Sequence, residues 1–318
     1  MNKPLVSILC QTYNHEKYIC KALDGFLNQK ADFDFEICVH DDASTDSTIN
    51  IIESYAIRYP NLFRVIYQKV NQYSQGRSVL EINYQQSRGV YLALCEGDDY
   101  WIDPLKLQKQ VNVMRKYPNC SLVGHGALVR NVNNPFYLRR WLIYDKHSIV
   151  DTQTALLKHG YLFPLNAFMF KREDFSLPQA LRMIRVADLN RILYSAIIGE
   201  IHYIPEIMSV YQVGINSSWT NTLHRDRNKV IEHLEEELRF LGQFDEYTHK
   251  SYHVEVKAFK DWVSYSLLRH KRDYSALAEA QFVELRNQNV FSKFIYDLEK
   301  SFPWMYDVLF RLYFRYFG

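Results

Sequence analysis

Three short apolar runs, each breaking off into a polar loop rich in carboxylates, constrain the fold of this chain most. Leu5-Val6-Ser7-Ile8-Leu9-Cys10 runs into Gln11-Thr12-Tyr13-Asn14-His15-Glu16. Phe35-Glu36-Ile37-Cys38-Val39 runs into His40-Asp41-Asp42-Ala43-Ser44-Thr45-Asp46. Val90-Tyr91-Leu92-Ala93-Leu94-Cys95 runs into Glu96-Gly97-Asp98-Asp99-Tyr100-Trp101. Runs this apolar suit strands buried on both faces. Between them lie helical patterns, Tyr18 to Leu27 and Ile49 to Tyr59, and a further strand candidate, Phe63 to Tyr67. Strands alternating with helices predict an α/β fold with a mostly parallel sheet and right-handed crossovers. In such sheets ligands bind beyond the carboxyl ends of the strands, where all three loops fall.

The loops carry the chemistry. Adjacent carboxylates repel, so Asp98-Asp99 in a cleft predicts a cation. Hard oxygen ligands suit Mg²⁺ or Mn²⁺, with substrate phosphates completing the shell. The plain alternative is a solvated acidic turn. The first loop, polar with one aromatic ring, can hold a base by stacking; its plain alternative is helix capping by Asn14. In the second loop, Ser44 or Thr45 can cap the next helix, and a carboxylate can accept the imide N–H of uracil. No GxGxxG or Walker A loop is present, so a nucleotide is not held by a Gly-rich cradle.

These three motifs, in this order, resemble family 2 glycosyltransferases of the GT-A fold over residues 4 to 213. The resemblance implies a Rossmann-like sheet flanked by helices. It implies that Thr12, Tyr13, Asn14, Glu16, Asp42 and Asp98 line a nucleotide site, with Asp98 by the ribose and diphosphate and Asp99 on the metal. Arg77 lies in a loop that approaches the base in relatives. Asp188, in Val186-Ala187-Asp188-Leu189-Asn190, reads first as a helix cap by itself, and the resemblance makes it the general base, since it falls where the family carries that residue. Tyr100 and Trp101 can stack on a sugar ring on the acceptor side, or belong to the core. One departure stands out. Many relatives read Tyr-Arg-x-His where this chain has Tyr211-Gln212-Val213-Gly214, so diphosphate neutralisation falls to the metal and to other residues, such as His224 or Arg225.

The rest of the chain gives further expectations. Leu105 to Tyr117 reads as a helix, Ser121 to Ala127 as a strand, 130 to 150 as irregular, and Tyr161 to Lys171 as the strand closing the acceptor side. The boundary falls near Thr222, giving a GT-A domain over 1–221 and a helical region over 222–318. His249 and His253, four apart, have zinc-ligand spacing but no third ligand, and read as a surface pair. Residues 302–318 read as an aromatic helix on which Asp307, Arg311 and Arg315 would make one polar stripe, suited to a membrane interface or to a second chain in a homo-oligomer.

Composition excludes little but does exclude something. A formal charge of +2 gives no argument for nucleic acid. Five cysteines, three of them in predicted strands, read as buried thiols of a reducing compartment. No apolar signal segment opens the chain and no apolar run spans a bilayer, so the expected location is cytoplasmic, peripheral at the inner membrane face. The expected activity is inverting transfer of a sugar from a nucleotide sugar, UDP first, to a saccharide or lipid-linked acceptor in surface polysaccharide synthesis. Two alternatives remain: a nucleotide-sugar-binding protein that has lost transfer, and a nucleotidyltransferase, against which the missing triphosphate loop argues.

Overall fold

The fold was analysed in a computed structural model, which describes residues 3–182, 187–215, 218, 221, 223, 226–287 and 290–302. The parallel core is built as the apolar runs require. Strand β1 (Val6–Thr12) pairs in parallel with β2 (Phe35–Asp41) on one side and β4 (Tyr91–Leu94) on the other. β3 (Phe63–Tyr67) extends the sheet beyond β2. The registers Thr12↔Asp41 and Leu9↔Leu94 bring all three polar loops to one end of the sheet. Helix α1 (Ile19–Leu27) lays Ile19, Ala22, Leu23 and Phe26 on this core, α2 (Thr48–Arg58) adds Ile52, and α3 (Val79–Gln86) follows β3.

Beyond β4 the sheet is mixed rather than parallel. The order is β3-β2-β1-β4-β9-β6-β10-β5, with β7 beside β6 and β8 beside β10. β5 (Tyr100–Trp101) is short and is followed by α4 (Lys106–Lys116). β6 (Cys120–Asn131) leads through a tight turn to β7 (Asn134–Trp141), and β8 is Ser148–Val150. Most of residues 130 to 150 are thus strand, and 142–147 is irregular as expected. The asparagines there make the turn, Asn131 Oδ1 accepting from the Asn133 N–H at 2.9 Å, and do not break the strands. After α5 (Thr152–Leu157), only Met169–Lys171 of the expected 161–171 strand is extended. This is β9, and it closes no edge: it lies antiparallel between β4 and β6 in mid-sheet. Helix α6 (Ala187–Ile198) precedes the long β10 (Glu200–Val213).

The chain divides into two compact units. The first is Met1–Arg130, Pro135–Leu177 and Arg185–Gln212; the second is Asn131–Asn134, Pro178–Ile184 and Val213–Gly318. The second unit is mainly helical: α7 (Arg227–Tyr247), α8 (His253–Lys271), α9 (Val283–Arg286) and α10 (Val290–Ser301). Asp226 caps α7 by accepting from the Asn228 and Lys229 N–H groups. Phe240, Leu241 and Phe244 of α7 and Phe259 and Val263 of α8 are fully buried. His249 sits at φ 51° in the turn between these helices, off the helix that carries His253, and His253 Nδ1 instead meets Asp245 Oδ2 at 2.8 Å. No described helix is long and apolar enough to cross a membrane. The aromatic segment from 303 onward lies outside the described residues, as do His224 and Arg225.

Candidate active site

The site is assembled in the first unit, where β1, β2 and β4 end. Gly97 gives the acidic turn its close approach to β1: a Cβ there would lie 2.8 Å from Thr12 Oγ1 and 2.9 Å from Ile19 Cδ1. Its N–H donates to the Gln11 carbonyl at 2.8 Å, fixing the turn against the end of β1.

The turn then points its carboxylates in different directions. Asp99, expected on the metal, is only 2% exposed. Its Oδ1 accepts from the Gln212 N–H at 2.7 Å and its Oδ2 from Asn166 Nδ2 at 2.8 Å, so both oxygens are committed to the scaffold. Burial and the charge of Asp98 push its carboxyl well above the ordinary range, against those two hydrogen bonds. The Gln212 side chain donates to the Asp98 carbonyl, so one residue of β10 fastens both aspartates. Asp98 Oδ2 lies 3.6 Å from His15 Nε2. Glu96, to which the sequence reading gave no role, opens to solvent in the same turn. Desolvation, then the charges of Asp98 and of Asp188, drive its carboxyl upward.

That electrostatic coupling brings Asp188 to the acidic turn across more than ninety positions of chain. Asp188 lies in the first turn of α6 and is partly buried, and burial pushes its carboxyl up to about 6. Glu96 is therefore near enough to both Asp98 and Asp188 for their charges to act on its carboxyl. Among the described residues, no three His, Cys, Asp or Glu side chains make a metal cage by themselves. A two-carboxylate platform that takes its remaining ligands from a phosphorylated substrate is the usual pattern for Mg²⁺, and the mutually repelling Glu96 and Asp98 fit it.

The first two loops are stitched to each other. Asn14, at φ 55°, accepts from the Thr45 N–H at 2.8 Å through Oδ1, and its own N–H donates to Ser44 Oγ at 2.9 Å. Glu16 Oε2 accepts from the Ser47 N–H at 3.0 Å. Neither residue caps α1, whose N-cap position is Tyr18. Asp42, expected to meet a base, has Oδ1 on the Gln72 N–H at 2.7 Å and Oδ2 on the Tyr73 N–H at 3.0 Å, so it anchors the loop that carries Arg77. Arg77 is exposed and reaches Gln72 Oε1 at 3.1 Å. Tyr13 is 37% exposed at the mouth. Behind it, Gln11 Nε2, Thr12 Oγ1 and His15 Nδ1 are buried without a hydrogen-bond partner among the described residues. Three orphaned polar atoms at one strand end are what a polar ligand satisfies.

Trp101 is a correction to the sequence reading. It is 3% exposed, its Nε1 donates to the Asn166 carbonyl at 3.0 Å, and its ring meets Phe26 edge-on at 4.7 Å. The amine of Lys106, itself fully buried, lies 3.9 Å from the ring centroid. Trp101 is a core residue and offers no face to a sugar. Tyr100 is half-buried, with Lys21 Nζ 5.4 Å from its ring centroid.

Comparison with known proteins bears on the family and the fold. The family model described as "Glycosyl transferase family 2" matches residues 7–193. An uncharacterized protein of Mycobacterium tuberculosis is 36% identical over 236 residues, 71% of this chain and 64% of its own length. The chain thus spans a little under two thirds of the length of that relative. Among solved structures, the mannosyltransferase PcManGT of Pyrobaculum calidifontis, in complex with GDP-Man and Mn²⁺, superposes with a TM-score of 0.55 at 16% identity, covering 98% of this chain and 87% of that one. Residues 1–349 of S. aureus TarS, in complex with UDP-GlcNAc, superpose with a TM-score of 0.51 at 15% identity, covering 83% and 81%. At such identities the two structures speak for the fold.

Proposed function

The chain belongs to glycosyl transferase family 2, and from that premise we propose that it moves a glycosyl group from a nucleoside-diphosphate sugar to an acceptor hydroxyl with inversion at the anomeric carbon. The observation that supports this reading is that the charges of Asp98, in the acidic turn, and of Asp188, in the first turn of α6, both act on the Glu96 carboxyl. Asp188 takes the acceptor O–H proton as the oxygen bonds the anomeric carbon and the diphosphate leaves with the electron pair of the broken C–O bond. A carboxyl raised to about 6 is ionised at neutral pH yet basic enough for that task.

A divalent cation, Mn²⁺ or Mg²⁺, would supply charge to offset that building on the leaving diphosphate. Asp98 and Glu96 would hold it, and Asp99, with both oxygens engaged, would position the turn. Asp98 therefore takes the metal role that the sequence alone gave to Asp99. The orphaned polar atoms of Gln11, Thr12 and His15 and the ring of Tyr13 would meet the nucleotide. UDP is the first donor to try, with GDP as the comparison, since the known structures above hold either base. A saccharide hydroxyl, free or lipid-linked, is the acceptor, and assembly of a surface polysaccharide is the proposed setting.

A panel of UDP- and GDP-sugars with and without Mn²⁺, read by thermal shift and then by release of the nucleoside diphosphate, tests the reading. Metal-dependent stabilisation that Asp188→Asn keeps, together with turnover that Asp188→Asn cuts, supports it. No response to any nucleotide sugar overturns it. Gln212 keeps a second reading open, because its side chain is spent on the Asp98 carbonyl and brings no positive charge to a diphosphate. Donor binding without transfer or hydrolysis would make the protein a nucleotide-sugar binder.

A further inference from the structure

Two imidazoles meet where β8 enters the sheet. β8 pairs antiparallel with the start of β10, Ile149 opposite His202. His202 is fully buried, while His147, just before β8, is exposed. His202 Nδ1 lies 3.2 Å from His147 Nε2, and His202 Nε2 lies 2.9 Å from Glu200 Oε2. Tyr117 flanks both rings, its centroid 4.3 Å from that of His202 and 5.6 Å from that of His147. An ionised carboxylate only accepts hydrogen bonds, so His202 carries its proton on Nε2 and presents a lone pair at Nδ1. That lone pair faces His147 Nε2.

We propose that His147 Nε2 and His202 Nδ1 chelate one divalent transition cation, Zn²⁺ or Ni²⁺, which clips the segment before β8 to β10. The spacing fits. Two nitrogens held about 2.0–2.1 Å from a tetrahedral cation stand about 3.3 Å apart. The surroundings fit as well. A carboxylate behind a ligating histidine fixes its tautomer and ring and raises its basicity, and Glu200 stands in that place. Burial, then His202 and Lys116, hold the His147 imidazole below its ordinary range, which favours the neutral form that ligates. With its proton on Nδ1, His147 offers Nε2 to the cation. Lys116 is the opposing charge, but it is exposed and acts through water. Among the described residues no three His, Cys, Asp or Glu side chains make a cage, so water completes the shell. Imidazole suits Zn²⁺ and Ni²⁺, whereas Mg²⁺ and Mn²⁺ favour oxygen, so this site differs in kind from the acidic turn. It does not depend on the proposed transferase activity. The plain alternative is one proton shared between the two rings, which gives no response to metal.

The test is titration of the EDTA-treated full chain with Zn²⁺ or Ni²⁺, without nucleotide, followed by calorimetry and by the thermal midpoint. The expected result is a bound equivalent and a rising midpoint, both of which His147→Gln removes. The His147 side chain is exposed, so that variant should keep the midpoint of the parent in EDTA. Glu200→Gln keeps an acceptor for His202 and loses the charge, and should weaken binding about 10- to 100-fold. Three results overturn the proposal: no binding by the parent, a signal that His147→Gln leaves intact, or binding by Glu200→Gln as tight as that of the parent.

Discussion

Asn166 Nδ2 donates a 2.8 Å hydrogen bond to Asp99 Oδ2 across 67 positions of sequence. The same amide group donates to the Val210 carbonyl at 3.1 Å, and Asn166 Oδ1 accepts from Ser209 Oγ at 2.7 Å. Asn166 thus ties the acidic turn to β10, and Asp99 is held from below while Asp98 and Glu96 remain for ligands. Asp99→Asn sets one amide against another and should cost about 1–3 kcal/mol in urea unfolding. Asp98→Asn and Glu96→Gln should keep stability and lose the Mn²⁺ dependence of donor affinity. Equal stability of Asp99→Asn and the parent would deny Asp99 its positioning role.

Asp188→Asn should lower turnover by about 10² to 10⁴ and leave donor affinity nearly unchanged. Burial raises the Asp188 carboxyl to about 6, and the ionised form is the base. Turnover of the parent should therefore rise with pH through about 6 and level off above it. That limb should vanish in the variant's residual rate. A parent profile flat from pH 5 to 8, in units where about 6.5 marks the ordinary histidine, would return Asp188 to the role of helix cap.

Glu237 offers a prediction on stability alone. It is buried in α7, and burial raises its carboxyl from 4.5 to about 7. The folded state then keeps a proton that the unfolded chain releases. Stability should fall as pH rises from the unfolded value toward about 7 and stay level above that. Glu237→Gln should remove this dependence and stabilise the protein above neutrality by up to about 3 kcal/mol. Urea midpoints for parent and variant, at acid and at alkaline pH, measure it.

Trp101 can be tested as a core residue directly. Trp101→Ala should cost about 3–5 kcal/mol, the range for emptying a large buried site. Trp101→Phe, which keeps most of the volume, should fold and leave the acceptor KM unchanged. A raised acceptor KM in a stably folded Trp101→Phe would restore a contact with the sugar.

The sequence alone determined the elements of the parallel core and the order of its loops. Apolar runs of strand length and helices with one apolar face leave few arrangements, and the registers of β1, β2 and β4 carry the three polar loops to one sheet end. It also singled out Asp98 and Asp99 as an expected cation site, while Asp188 was singled out only through the family resemblance. A signal for Glu96 was present as well, an acid two residues before Asp98 in the same turn. Only the tertiary structure decided which way each side chain faces. Neighbouring residues in a turn point apart, and their partners lie far along the chain: Asn166 and Gln212 take Asp99 inward, Gln72 and Tyr73 take Asp42, and Phe26, Lys106 and Asn166 enclose Trp101. Local sequence fixes what a residue can donate or accept. Long-range packing fixes which of those capacities is already spent before a ligand arrives.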